Sequence, residues 1–210
     1  MRPAFVIVLS VIVAGCGHHT EPTSSPSPVV PPASNVQVVG RVVDFQSNAG
    51  VAGTILEWKI FGVDDKPQTF RSTTNPSGNY YVSLAGAGMY EVSIGAPAGA
   101  EKVYVPGGSY TTDLFVGHSD CPIMYGFVFD ASTSRPVSAA TVTWVGTDAI
   151  SQTDGSYLLN LGCRSNGYGS GTSGISVKHP AYMSQGIFGT RREFLVLGWL
   201  GRRDFALTPR

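Results

Sequence analysis

The sequence predicts an all-β protein, built as two tandem antiparallel Greek-key β-sandwiches behind a signal peptide and a proline-rich linker. Three observations carry this reading. One block of residues recurs at a fixed offset, the composition favours strands closed by tight turns, and apolar residues alternate with polar ones. The 210-residue chain has 26 Gly, 14 Pro and only 13% charged residues, which suits short strands rather than helices. No segment sustains three-four helical periodicity.

The chain opens on Met1-Arg2-Pro3 and an apolar run from Ala4 to Ala14, interrupted only by Ser10. That run is too short for a stable membrane span and fits a secretory signal with small residues at its exit. Val13-Ala14-Gly15-Cys16 resembles the lipobox of bacterial lipoproteins. The resemblance implies cleavage after residue 15 and lipidation of Cys16, with the acyl chains holding the mature protein on a membrane. Gly17 stands where an inner-membrane retention signal carries Asp, so the resemblance points to the outer membrane. Residues 16–35 then form a linker. It holds Pro22, Pro26, Pro28, Pro31 and Pro32 among Ser and Thr, a composition that forms an extended, semi-rigid stalk. His18 and His19 in such a segment are read as solvated.

Past the stalk the chain repeats. Gly40–Trp58 aligns without gaps onto Gly126–Trp144 at an offset of 86 residues. This pairs Val42 with Val128, Asp44 with Asp130 and Val51 with Val137. Each copy reads as strand, turn, strand. Next come Asn75-Pro76-Ser77-Gly78 and Thr153-Asp154-Gly155, turns that need positive φ at the glycine. Strands are expected at Tyr80–Leu84 and Tyr157–Leu161, then at Met89–Ile94 and Ile175–Lys178. The closing strands are expected at Thr112–Val116 and Asp204–Thr208. Parity buries Leu56, Trp58, Val142, Trp144, Tyr80, Val82, Leu84, Tyr157, Leu159 and Leu161.

These elements resemble the carboxypeptidase regulatory-like domain, a transthyretin-like (prealbumin-like) sandwich of about seven strands. The residues that carry the likeness are Gly126-Phe127-Val128-Phe129-Asp130, Pro136-Val137-Ser138-Ala139-Ala140-Thr141-Val142 and Thr153-Asp154-Gly155-Ser156-Tyr157. Ala139 replaces the family's usual glycine, which the first copy keeps as Gly53. The resemblance implies domains at 36–117 and 118–210 and covers nearly all of the chain after the stalk.

Cys121 and Cys163 remain after lipidation. In an exported chain two cysteines most simply form one disulfide, and the alternative is a reactive or metal-binding pair. A loop of this length, about 42 residues, gives roughly 4 kcal/mol in the chain-entropy account.

Chemistry is sparse. The formal net charge is zero, which gives no steering toward nucleic acid. No nucleophile elbow, zinc-binding helix motif or phosphate loop is present, so no catalytic residue, cofactor or metal is expected. His118-Ser119-Asp120-Cys121 reads as a polar hinge between the domains, and Asp64-Asp65 as a solvated turn. The chain lacks the C-terminal Tyr-Arg-Gly-Ser of transthyretin-like hydrolases and the first-strand Lys of self-crosslinking adhesin repeats. Ring-presenting candidates for ligand binding are Tyr81, Tyr168, Tyr182 and Trp199, off the buried parity or in Gly-rich loops. Arg191-Arg192-Glu193 and Arg202-Arg203 bracket Phe194–Leu200. They read as charged turns around a buried strand, or as basic hairpin ends facing anionic headgroups. The expected function is non-catalytic: an envelope lipoprotein presenting its sandwiches to another protein, or to a glycan.

Overall fold

The structure, a computed structural model, describes residues 35–62, 66–95, 100–117, 121–161, 172–190 and 200–210. Cys16, Asp64, Asp65, His118, Cys163, Tyr168, Arg191, Arg192 and Trp199 lie outside them. Among the described residues no helix is long and apolar enough to cross a membrane.

The first half contains β1 (Val36–Asp44), β2 (Ile55–Phe61), β3 (Pro67–Thr73), β4 (Asn79–Leu84), β5 (Gly88–Ile94), β6 (Glu101–Val105), β7 (Ser109–Thr111) and β8 (Leu114–Val116). The second contains β9 (Ile123–Asp130), β10 (Thr141–Trp144), β11 (Thr147–Ile150), β12 (Ser156–Asn160), β13 (Thr172–Lys178), β14 (Gln185–Thr190), β15 (Leu200–Arg202) and β16 (Phe205–Leu207). Sheet orders β4-β1-β7 and β3-β2-β5-β6 recur as β12-β9-β15 and β11-β10-β13-β14, with β8 also on β1 and β16 also on β9. The repeat therefore extends from sequence to topology.

Two details depart from expectation. The closing strands β7, β8, β15 and β16 run parallel to β1 or β9, because the chain reaches them by crossing over from the opposite sheet. Among the described residues each sandwich also has eight strands rather than seven, since the closing strand breaks in two. The break sits over a glycine. A Cβ on Gly40 would lie 1.7 Å from the Thr112 carbonyl oxygen, and one on Gly126 would lie 2.1 Å from that of Arg203. At the break an aspartate replaces the lost ladder bond: Asp113 accepts from the Arg41 amide and Asp204 from the Phe127 amide, both at 2.9 Å. A buried tyrosine caps each break, Tyr80 donating to Thr112 O at 2.8 Å and Tyr157 to Arg203 O at 2.5 Å.

Each sandwich has its own apolar core. Trp58 and Trp144 are fully buried at their centres, as strand parity requires, and Trp58 packs on Tyr80 and Tyr90 at 6.0 and 6.2 Å. A hydroxyl pins the second strand in both copies. Thr74 Oγ1 donates to Val51 O and accepts from Thr54 N, while Ser151 Oγ donates to Val137 O and accepts from Ala140 N. Gly78 and Gly155 both take φ of +80°, the conformation their turns demand.

Candidate functional site: the seam and trough between the sandwiches

Ala33–Arg210 form one compact unit, and the reason is a buried seam where the outer face of the β9 sheet meets the first sandwich. Its apolar part joins Ile123, Tyr125 and Leu200 to Phe45 and Phe115. Phe115 meets Tyr125 edge-on at 5.2 Å and Phe45 at 6.1 Å. Backbone crosses too, with Asp204 N donating to Lys102 O at 2.8 Å.

The polar part centres on Arg202. In register it occupies on β15 the position of Thr111 on β7, opposite Tyr125 as Thr111 is opposite Val39. In the first copy this face is open to solvent. In the second copy the first sandwich covers it, and Arg202 is fully buried. Its Nε and Nη2 reach Asp204 at 3.1 and 2.9 Å, and Nη1 reaches Thr112 Oγ1 at 2.6 Å and Asp113 O at 3.0 Å. The guanidinium lies 5.2 Å over the Phe127 ring. Burial disfavours its charge, but Asp204 more than offsets this and holds Arg202 firmly protonated. Asp204 also accepts from Tyr104 N at 2.9 Å, so the second sandwich's carboxylate is bonded to the first sandwich's backbone. The expectation that Arg202 and Arg203 form charged turns, or face a membrane surface, is overturned: both are buried. The pairing partner, Asp204, lies two residues on and brings the charge inside.

Glu101 is the third ionisable group of the seam. It is fully buried; Oε1 accepts from the Tyr125 hydroxyl at 3.3 Å, and Oε2 has no hydrogen-bond partner. Burial pushes its pKa up to about 8, against the opposing pull of Arg202.

Beside the seam lies a trough of about 730 Å³. Its floor is the outer face of β9 and β12, with Phe127, Ser156 and Leu158; one wall is Thr111, Thr112, Asp113 and Phe115, and the other is Asp148–Ile150 with Gln152. Stacking the sandwiches creates the trough.

Of the sequence-predicted binding residues, the two that are described, Tyr81 and Tyr182, do not line the trough. Tyr81 is 54% exposed on the outer face of β4, opposite Val39. Tyr182 sits in the other sandwich, its hydroxyl donating to Asp130 at 2.9 Å and its ring 5.1 Å from His179. Nδ1 of His179 accepts from Ala181 N. Cys121 is described, whereas its expected partner Cys163 is not. Trough and seam residues were missed because their meaning depends on which sheet face the other sandwich covers. The signal present in the sequence is the contrast of Thr111-Thr112-Asp113 with Arg202-Arg203-Asp204 at the two closing strands.

No known family profile matches the chain, and no curated protein matches it. Among solved structures, the shaft pilin SpaA of Lactobacillus rhamnosus GG is 12% identical over 84% of this chain and 98% of its own, with a TM-score of 0.30. A DUF3823 family protein of Parabacteroides merdae is 15% identical over 75% of this chain and 97% of its own, with a TM-score of 0.33. The Bacillus anthracis TIE protein is 14% identical with a TM-score of 0.30, and the chain spans about a third of its length, 34%. Identities and scores at this level assign neither family nor function.

Proposed function

We propose that this chain is an exported, lipid-anchored and non-catalytic envelope protein whose two sandwiches act as one binding unit toward another envelope protein. The observation that carries the reading is the seam around Arg202 and Asp204, which joins the halves through buried, charge-assisted hydrogen bonds from Arg202 to Thr112 and Asp113 and from the Tyr104 amide to Asp204. A rigid two-sandwich body suits presentation of a surface at a fixed orientation. Val13-Ala14-Gly15-Cys16 supports the anchor, and residues 17–35 support a stalk. The repeated turn motifs and shared strand order support kinship with carboxypeptidase regulatory-like domains at 36–117 and 118–210. In an exported chain Cys121 pairs with Cys163.

Incorporation of a labelled fatty acid, abolished by Cys16→Ala, tests the anchor. Mass spectrometry of non-reduced peptides tests the cystine. In-cell crosslinking from the two-sandwich body, followed by isolation from solubilised envelopes, tests the function: one stoichiometric envelope protein is expected. Retention on immobilised polysaccharide without such a protein would favour a carbohydrate-binding module. Turnover of a model ester or peptide would overturn the non-catalytic reading.

A further inference from the structure

The trough has a chemical character of its own. Its carboxylates are Asp113 and Asp148, and among the described residues no Lys, Arg or His lines it. Asp113 accepts one backbone amide and forms no ion pair among the described residues. Asp148 makes neither hydrogen bond nor ion pair there. Ile150 and Leu158, 52% and 55% exposed, supply an aliphatic surface in the same trough. Exposed aliphatic side chains beside uncompensated carboxylates complement a ligand that is both cationic and apolar.

The aromatic rings are already engaged, which separates a peptide from a sugar. One face of Phe127 carries the Arg202 guanidinium, and its ring stacks with Phe129 at 6.0 Å. Tyr125 is buried with its hydroxyl committed to Glu101 and the Phe115 amide. Phe115 packs edge-on against Phe45 and Tyr125. Among the described residues that line the trough, no ring is left as a flat platform for a pyranose.

We infer that the trough between the sandwiches binds an extended protein segment that carries both Lys or Arg and aliphatic residues, the cations meeting Asp113 and Asp148 on the two walls and the aliphatics meeting Ile150 and Leu158. The volume, about 730 Å³, lies within the range of ligand clefts. This inference rests on the protein-binding reading above and names the site and chemistry for it.

The test uses the full chain in neutral detergent and the fluorescein-labelled hexapeptide Lys-Lys-Val-Val-Lys-Lys, which presents both residue types to both sides when extended, followed by fluorescence anisotropy. Saturable binding is expected, weakening about tenfold in Asp148→Asn and in Leu158→Ser and weakening further with added salt. The Asp148 side chain makes no hydrogen bond or ion pair among the described residues, and its strand pairing is through backbone, so D148N isolates the charge. The inference is overturned by any of three results: no saturable binding, equal binding of the Glu–Val counterpart, or indifference to both substitutions. Displacement of the peptide by a hexasaccharide of N-acetylglucosamine would also overturn it, by assigning the trough to glycan. If both variants still crosslink to an envelope protein with wild-type yield, the trough assignment fails while the protein-binding reading survives.

Discussion

Ala139 occupies in the second sandwich the position of Gly53 in the first, and both adopt left-handed backbone, with φ of +60° and +67°. The turn geometry is kept although the residue is not. A Cβ at Gly53 would meet nothing within 4 Å, so at that copy backbone conformation alone decides the cost. Left-handed geometry costs a non-glycine residue roughly 1–2 kcal/mol, partly offset by the lower unfolded-state entropy of Ala. Ala139→Gly is therefore expected to stabilise the protein by about 0.5–1 kcal/mol, and Gly53→Ala to destabilise it by a similar amount. Urea denaturation of both variants checks the opposite signs.

Gly40 and Gly126 are different, because their lack of a side chain answers packing. Adding a methyl at Gly126 forces it against the Arg203 carbonyl, whose backbone is fixed by the Tyr157 hydroxyl. Gly126→Ala is expected to cost more than about 3 kcal/mol and to separate β9 from its closing strands. Loss of amide protection along β15 and β16 in hydrogen exchange is the measurement.

Arg202 is the one fully buried cation among the described residues. Arg202→Met leaves Asp204 buried without its counter-charge, so about 3–5 kcal/mol of stability is expected to be lost. Arg202→Lys is not expected to restore it, since an ammonium cannot bridge Asp204, Thr112 and Asp113 together. Thermal unfolding of the two variants beside wild type decides the matter.

Glu101 makes the seam sensitive to pH. Its folded pKa is raised from 4.5 to about 8, so the folded state holds a proton that the unfolded state has released. That contribution is fully present below about pH 4.5 and is lost progressively up to about pH 8, to the extent of at most about 5 kcal/mol. Asp44, Glu57, Asp130 and Asp154 act in the other direction. Hydrogen bonds from Ser47, Lys59, Ser132 and Ser156 respectively hold them below their ordinary values, so the stability they give is lost as pH falls through the acid range. Maximum stability is expected near pH 5. Glu101→Gln should flatten the decline between pH 5 and 8, and chemical denaturation across that window reads it directly.

Much of the fold was legible because it rests on local rules. Alternation placed Leu56, Trp58, Val142 and Trp144 inside, and Asn or Asp ahead of glycine located Gly78 and Gly155 in positive φ. The 86-residue offset linked the two β1-type strands. What escaped was tertiary. β6, β14 and β15 carry weak alternation, since neighbours on more than one side bury them or glycines interrupt them. Leu158 follows the exposed parity, but nothing local says that it forms the floor of a trough. Arg202 reads as a surface cation until the partner sandwich is placed over it.

The parallel pairing of β1 with β7 and β8 has a mechanical consequence. Tension applied through the segment preceding Val36 and withdrawn beyond Val116 pulls two side-by-side strands lengthwise past each other. The bonds between them then share the load in shear instead of unzipping one at a time.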